Sequence, residues 1–592
     1  MGRPSIFVRL SERRHRKRSA SFHGNHDLKQ ATTLAPALTH GPHEKSWIHR
    51  PIDSISSVIH RDHQPAVLDP YEKSLELIRE KEYPHMRNGT YLDHSGTTIY
   101  AASTISRFSN KMLTNLYGNP HSTNAPAKLS GDMVDSIRLK ALRFLGADPS
   151  HFDLIFTANA TAAIKLVADS FRDLAEQARS GSFWYGYHRD SHTSLVGVRE
   201  LTANGEHYCF ANDLEVESWL AADQDTGSRR FKKNSSLGLF AYPGQSNLTG
   251  RRLPLSWPGR VRGERKLQGT YTLFDAAALA MTSDMSRVFS DPSAAPDFVC
   301  LSFYKIFGFP DLGGLVVRKD SGHILALRKY FGGGTVSLVS TIGAAWHISK
   351  ALEQTTSNGT TGEHATGGLH EGLEDGTLPF HSIIALGEAI DVHCDLYGSM
   401  GNISKHTTAL VRRLYDGMKG MRYGNAHPVF RIYEDEEDGY GDATRQGATV
   451  AFNVQKPDGA FVSYSHVESL ANENGFYIRS GGVCNPGGVF TALQYEPWQL
   501  NRARSAGHHC GPQGLGVINE LPTGVVRASL GAMSTVQEVD RFLSFLREAF
   551  VVGHDSVAAR SSSSTTGSGG VFSRVDSATT DMSDGAVLSA AA

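Results

Sequence analysis

Five short segments of this chain set a side chain able to do chemistry beside an apolar run or a glycine-rich turn. In LSFYKIFGFPDLGG, Lys305 follows an apolar run and precedes a turn. A lysine there is partly desolvated, which lowers its pKa and frees the amine for imine chemistry. It reads equally as an ordinary strand-end lysine. In YTLFDAA, Asp275 closes an apolar run. In an open α/β sheet that position points into the ligand crevice, although an aspartate there also suits a helix N-cap. In FTANATAAIKLVA, Ala160 and Thr161 open a helix whose free N–H groups and dipole would bind phosphate, or be satisfied by Asn or Thr capping. His192, in DSHTSLVG, offers an imidazole for stacking, or is a satisfied polar residue. Cys484, in YIRSGGVCNPGGV, is flanked by glycines and a proline. That predicts a mobile loop. A cysteine there, near Arg479, can act as a thiolate nucleophile or be an incidental thiol.

A lysine for imine formation, an acid, an anion cradle and a stacking ring are together what pyridoxal 5′-phosphate requires of a protein. In that reading Asp275 faces the pyridine nitrogen and keeps it protonated, which makes the ring an electron sink.

These residues need a scaffold, and the apolar runs supply one. DLIFTA (153–158), SLGLFAYP (236–243), YTLFDAA (271–277), DFVCLSF (297–303) and GGLVVRK (313–319) alternate with helical segments and turn signals. That predicts a mainly parallel sheet covered on both faces. A helix is predicted over about 69–82, with Asp69 as N-cap and Pro70 in the first turn. The large part is expected over about 91–382. A smaller α+β part over about 383–552 would take in the first helix. Residues 354–370 read as a polar surface insertion, and 1–65 and 553–592 as disordered, the latter rich in Ser, Thr and Gly.

The formal net charge of −1 gives no electrostatic case for nucleic acid or a membrane surface. No run of about 18 apolar residues predicts a membrane span. The five cysteines form no CxxC pair, so a disulfide scaffold or a metal site is not expected, and a reducing compartment, the cytoplasm, is. The basic N-terminus, from Arg13 to Arg18, reads as a solvated tail, with organelle targeting as the alternative.

The order of the segments resembles the class V aminotransferase-fold cysteine desulfurases, and most closely the desulfurase-like domain of the molybdenum cofactor sulfurases, over roughly residues 70–550. The pieces are YLDHSGTT, YGNPHS, FTANATAA, DSHTSLVG, YPGQSNLTG, LFDAAA, SFYK, YFGGGTV, LEDGT, IRSGGVCNPG and VVRASLGAMST, with AGHHCGP (506–512) resembling the sulfurases in particular. The resemblance implies the fold type I architecture of pyridoxal-phosphate enzymes, and a role for each matching residue. Lys305 would carry the cofactor, and Asp275 would pair with the pyridinium. Ala277 would pack on the ring, His192 stack on it, and Asn247 bond its hydroxyl. Ala160, Thr161 and Ser302 would hold the phosphate, and Thr335 would reach the phosphate of a neighbouring subunit in a homodimer. Arg527 would clamp the substrate carboxylate, a bidentate task that guanidinium suits, and Cys484 would take the sulfur as a persulfide. Tyr304 stands where many desulfurases have histidine. Ala278 replaces a glutamine, which predicts one ring-hydroxyl contact fewer. Gly482 and Val489 stand where plant and animal sulfurases carry further cysteines.

The implied reaction takes sulfur from L-cysteine, releases alanine and sends the sulfur to molybdenum cofactor. The tail after 552 is too poor in apolar residues to form the sulfurases' second domain, so a separate acceptor is expected. A general desulfurase serving iron–sulfur clusters or tRNA thiolation, and a non-catalytic scaffold of the same fold, are the alternatives. AGHHCGP speaks against the first, and retention of Lys305, Asp275, Arg527 and Cys484 together against the second.

Overall fold

A computed structural model describes residues 70–178, 181–202, 206–221, 237–357, 368–435, 439–509 and 515–552. The segments expected to be disordered, 1–65 and 553–592, lie outside the described residues, as do Asp69, most of the polar insertion (358–367) and the end of AGHHCGP.

Seven strands form the main sheet: β1 (Phe152–Thr157), β2 (Trp184–His188), β3 (His207–Phe210), β4 (Gly238–Pro243), β5 (Thr270–Asp275), β6 (Phe298–Ser302) and β7 (Gly313–Arg318). Their order is β1-β7-β6-β5-β4-β2-β3. β7 runs antiparallel to both its neighbours, and the other pairs are parallel. The five apolar runs read from the sequence are all strands of this sheet. β2 and β3, built on WYGYH and HYCF, escaped that reading.

Side chains along each strand alternate between two cores, as the period of two demands. Leu154, Phe240, Phe274 and Leu301 enter the core under the helices Ala125–Phe144 and Phe380–Tyr397. Ile155, Leu239, Leu273 and Cys300 enter the core under the helix Ala160–Gln177. A fold with helices on both faces of a mainly parallel sheet is the expected architecture. Its consequence for function is directional: β1, β4, β5 and β6 end along one edge, and the connections leaving that edge can converge.

A second sheet, all antiparallel, has the order β8-β9-β11-β10, from β8 (Phe430–Tyr433), β9 (Thr449–Val454), β10 (Arg479–Gly481) and β11 (Val525–Ser529). The helices Met400–Lys419 and Val536–Arg547 pack with it in one core. The first helix, Pro70–Glu82, joins this side through an ion pair of Arg79 with Glu538, 2.6 Å. Ile383, Ile384, Leu386 and Ile390 belong to the core of the main sheet, packed with Val134 and Ile137. Their spacing announces a helix but not which partner it meets.

One buried ion pair ties the start of the site to this frame. Arg138 donates from Nη1 and Nη2 to the two carboxylate oxygens of Glu374, at 2.6 and 2.9 Å, and Phe156 N–H donates to the same carboxylate at 2.7 Å. Both side chains are almost wholly buried, so removing either leaves a charge without its partner. Arg138→Met or Glu374→Gln is expected to cost about 3–5 kcal/mol, read as a lowered urea midpoint. A change below about 1 kcal/mol would contradict this account of the pair.

Candidate active site

Eight of the eleven residues singled out above line one cavity of about 70 Å³ at the C-terminal edge of the main sheet: Ala160, Thr161, His192, Asn247, Asp275, Ala277, Ser302 and Lys305. β5 delivers Asp275 and β6 delivers Ser302, in neighbouring parallel strands with Asp275 paired to Cys300. Asp275 is buried, and its Oδ1 accepts from Ala277 N–H at 2.9 Å, which fixes the carboxylate and brings Ala277 onto the same wall. Lys305 sits in the short helix Tyr304–Phe307 directly after β6. Burial lowers its pKa from the ordinary 10.5, the charge of Asp275 opposes that shift, and Arg527 adds to it.

The residues expected to cradle an anion lie together at the start of the helix Ala160–Gln177. Asn159 caps the helix Ala160–Gln177, its side chain accepting from Ala162 N–H at 3.0 Å. Ala160 N–H donates to Ser302 Oγ at 3.1 Å, and the hydroxyls of Thr161 and Ser194 are 2.8 Å apart. Gly313, at the start of β7, permits this assembly, because a Cβ there would lie 2.4 Å from the Asn159 backbone. His192 is anchored by its own backbone turn, Ser194 N–H donating to Nδ1 at 3.1 Å. Burial lowers its pKa, with Lys305 contributing and Asp275 opposing, so the ring is neutral near pH 7. A helix N-terminus with two hydroxyls, a buried carboxylate and a desolvated amine on one wall, and a neutral ring is a donor set that fits a phosphorylated pyridinium aldehyde.

Arg527, Cys484 and Thr335 do not line the cavity. Arg527, in β11, is buried and reaches the cavity wall by donating from Nη1 to the Asn247 carbonyl at 2.8 Å. Nη2 donates to Asp93 Oδ1 at 2.7 Å, and its Nε has no hydrogen-bond partner among the described residues. Asp93 therefore occupies one of the donors a substrate carboxylate would use. Arg479, in β10, is the cross-strand partner of Arg527 and is exposed. Side chains at such directly opposed positions share a face.

The Cys484 segment, expected from its glycines to be a mobile loop, forms a turn hydrogen-bonded to its surroundings. Val483 and Cys484 both have left-handed backbones, φ 40° and 56°, which non-glycine residues adopt at a cost of about 1–3 kcal/mol each. The surroundings hold them there. Asn247 Nδ2 donates to the Val483 carbonyl at 2.7 Å and Thr193 N–H to the Cys484 carbonyl at 2.9 Å. Asn485 Nδ2 donates to both Asp190 Oδ1 and Asn247 Oδ1. The thiol itself is exposed. Asn247 thus has both ends of its amide engaged with this turn. Gln245, which the sequence reading passed over, lines the cavity with its Oε1 accepting from Arg252 Nε at 3.1 Å. Thr335 lies elsewhere, 1% exposed, its hydroxyl donating to the Gly332 carbonyl at 2.9 Å. Asp93, Asn485 and Asp190 are the further residues that sequence reasoning left without a role.

The chain belongs to the class V aminotransferase family (Aminotransferase class-V), whose sequence profile matches residues 90–542. It is 50% identical over 489 residues to a molybdenum cofactor sulfurase of Aspergillus niger, covering 83% of this chain and 56% of that protein. It is 49% identical over 496 residues to a molybdenum cofactor sulfurase of Botryotinia fuckeliana, covering 83% and 57%. The chain spans about half the length of the curated relatives it matches. Among solved structures, the apo form of a cysteine desulfurase from Thermococcus onnurineus aligns with a TM-score of 0.58 at 18% identity, covering 80% of this chain and 97% of that one. A cysteine desulfurase from Escherichia coli aligns at 0.55 and 17%, covering 80% and 98%. These two share the fold.

The electrostatics of Lys305 can be read directly. Labelling of the cofactor-free protein with an amine reagent, followed at the Lys305 peptide, is expected to titrate below 10.5. Asp275 favours the charged amine, so Asp275→Asn moves the midpoint further down. Arg527 disfavours it, so Arg527→Gln moves the midpoint up. A wild-type midpoint at or above 10.5, or shifts of opposite sign, would contradict this picture.

Proposed function

We propose that the chain is a pyridoxal-phosphate-dependent L-cysteine desulfurase of the molybdenum cofactor sulfurase type. It passes the sulfur of L-cysteine to Cys484, releases alanine, and gives the sulfur to a molybdenum-cofactor-binding acceptor. The observation that carries this reading is the desolvated amine of Lys305, on the same cavity wall as Asp275, in a cavity whose Asn247 also grips the turn bearing Cys484. Identity near one half to molybdenum cofactor sulfurases over most of the chain supports the choice of acceptor.

Pyridoxal phosphate, when bound, supplies the electron sink that lets an amino acid lose its Cα proton and loosens the bond at Cβ. Ala160, Thr161 and Ser302 would hold its phosphate, Asp275 would face the pyridine nitrogen, and His192 and Ala277 would pack on the ring. Lys305 would carry the cofactor, and its amine, whose pKa burial lowers, is suited to take the Cα proton. Arg527 takes the substrate carboxylate, exchanging Asp93 for it, and the charge of Arg479 on the same face draws the anion in. The Cys484 thiolate attacks the substrate sulfur. The S–S bond forms as the Cβ–S bond breaks, the electron pair of that bond stays on Cβ, and a proton completes the methyl group of alanine.

A second copy of the chain is the partner proposed beside the site. The hairpin Val336–Ser340/Trp346–Ser349, directly after Thr335, exposes Leu338, Val339, Ile342, Trp346 and Ile348. Apolar residues clustered in this way mark an interaction surface. Light scattering is expected to give twice the chain mass, and Trp346→Glu with Ile342→Glu a monomer. A wild-type monomer would remove this partner.

Two variants separate cofactor binding from sulfur transfer. Lys305→Ala is expected to lose the visible absorbance of the wild-type protein and at least a thousandfold of alanine production. Cys484→Ser keeps that absorbance, because the turn builds none of the ring site, but falls to background in alanine release without added thiol. Alanine release by Lys305→Ala at the wild-type rate would sink the assignment, as would a colourless wild-type protein purified with the vitamin supplied.

A further inference from the structure

A second cavity, of about 390 Å³, lies beside the one that Lys305 lines. The two cavities share a stretch of chain as a wall. Asn247 faces the Lys305 cavity, while Leu248 and Thr249 face the second. The helix Pro486–Ala492, which begins just after Cys484, closes another side with Gly488 and Thr491. Gly487 brings that helix onto the end of β2, since a Cβ there would lie 2.1 Å from the Arg189 carbonyl.

The lining is charged, and its charges are unequally spent. Each acid has a partner. Asp190 accepts from Ser246 Oγ at 3.0 Å and from Asn485, Asp435 from Thr249 Oγ1 at 2.8 Å, and Glu434 from Tyr415. Arg251 is committed to Asp213 by two bonds, at 2.8 and 2.9 Å. Arg189 and Arg431 line the same cavity and form no ion pair among the described residues. Arg431 lies over the ring of Tyr433, 5.6 Å from its centroid. Tyr433 is only 5% exposed, and its hydroxyl has no hydrogen-bond partner among the described residues. A buried hydroxyl left without a partner costs about 1–3 kcal/mol, and a ligand acceptor would remove that cost. The described residues contain no group of three acids, histidines or cysteines able to hold a metal ion. Two unspent guanidinium groups and an unspent phenol donor therefore define what the cavity is missing.

We propose that this second cavity binds a small molecule through a dianionic group, a phosphate or a pair of carboxylates, held by Arg189 and Arg431 with the Tyr433 hydroxyl as a further donor. Leu248, Ile432 and Ala492 give the rest of the ligand an apolar wall. If Cys484 carries sulfur as proposed above, the site is positioned to grip an anionic group on the molecule that takes the sulfur. The binding itself does not depend on that reading.

The test is calorimetric titration of the full chain, purified loaded with pyridoxal phosphate so that the cradle at Ala160 is filled, with inorganic phosphate in one arm and succinate in the other. Saturable binding of at least one probe is expected, and the tighter of the two assigns the source of the dianion. Arg189→Gln and Arg431→Gln each lower the affinity at least tenfold. Tyr433→Phe lowers it severalfold without loss of stability, since the hydroxyl it removes has no partner. The saturating probe raises the melting temperature of the wild-type chain and not that of the double arginine variant. No saturable binding of either probe overturns the proposal. So does binding that survives both arginine substitutions, or that excess pyridoxal phosphate displaces, because it then belongs to the cradle.

Discussion

The arrangement turns on one constraint: the amine of Lys305 must be kept from water while a single carboxylate, Asp275, faces the same cavity. Burial lowers the pKa of a lysine so placed, and Asp275 limits how far that goes. Meeting the constraint requires β5 and β6 to be adjacent and parallel, so that their ends deliver the acid and the amine together. It also requires the chain to turn sharply after Lys305. Gly308 does this with φ 77°, in a position where a Cβ would lie 2.4 Å from the Ile99 backbone. The segment following YLDHSG is thereby packed against the lysine's own helix, and YLDHSG itself carries Asp93, the partner of Arg527.

The second sheet matters because it brings β10 and β11 to this edge, and with them Arg479, Arg527 and the Cys484 turn. The turn is strained at two consecutive residues and gripped from the main-sheet side by Thr193, Asn247 and Asp190. Strain that persists because its surroundings over-determine it is a mark of functional segments. Thr193 follows His192, and Asn247 lines the cavity, so any movement of the ring site is felt at the turn through two hydrogen bonds. Exposure of the thiol alongside restraint of its backbone suits a group that must meet two partners in turn from one fixed position.

The parts legible in the sequence are those whose signal is local. β1 and β4 to β7 are unbroken apolar runs because they are buried on both faces. The cradle at Ala160 and the acid at Asp275 follow from their place at strand and helix ends. What escaped depends on contacts between distant residues. Asp93 meets Arg527 across 434 positions and Asn485 meets Asp190 across 295, and no spacing announces either. The glycines around Cys484 suggested mobility. Left-handed residues and hydrogen bonds to two other segments, 190–193 and Asn247, define the turn instead. The helix Phe380–Tyr397 shows its periodicity in the sequence, but its choice of the main-sheet core is a matter of tertiary packing.

The central claim, that Lys305 chemistry in one cavity ends as sulfur on Cys484, has a direct measurement. The full chain is incubated with sulfur-labelled L-cysteine, alkylated without reductant, digested and read by mass spectrometry. One labelled sulfur atom on the Cys484 peptide, absent when Lys305 is replaced by alanine, is the result this account predicts. Label on Cys209, Cys300, Cys394 or Cys510 with none on Cys484, or label on Cys484 that persists without Lys305, would contradict it.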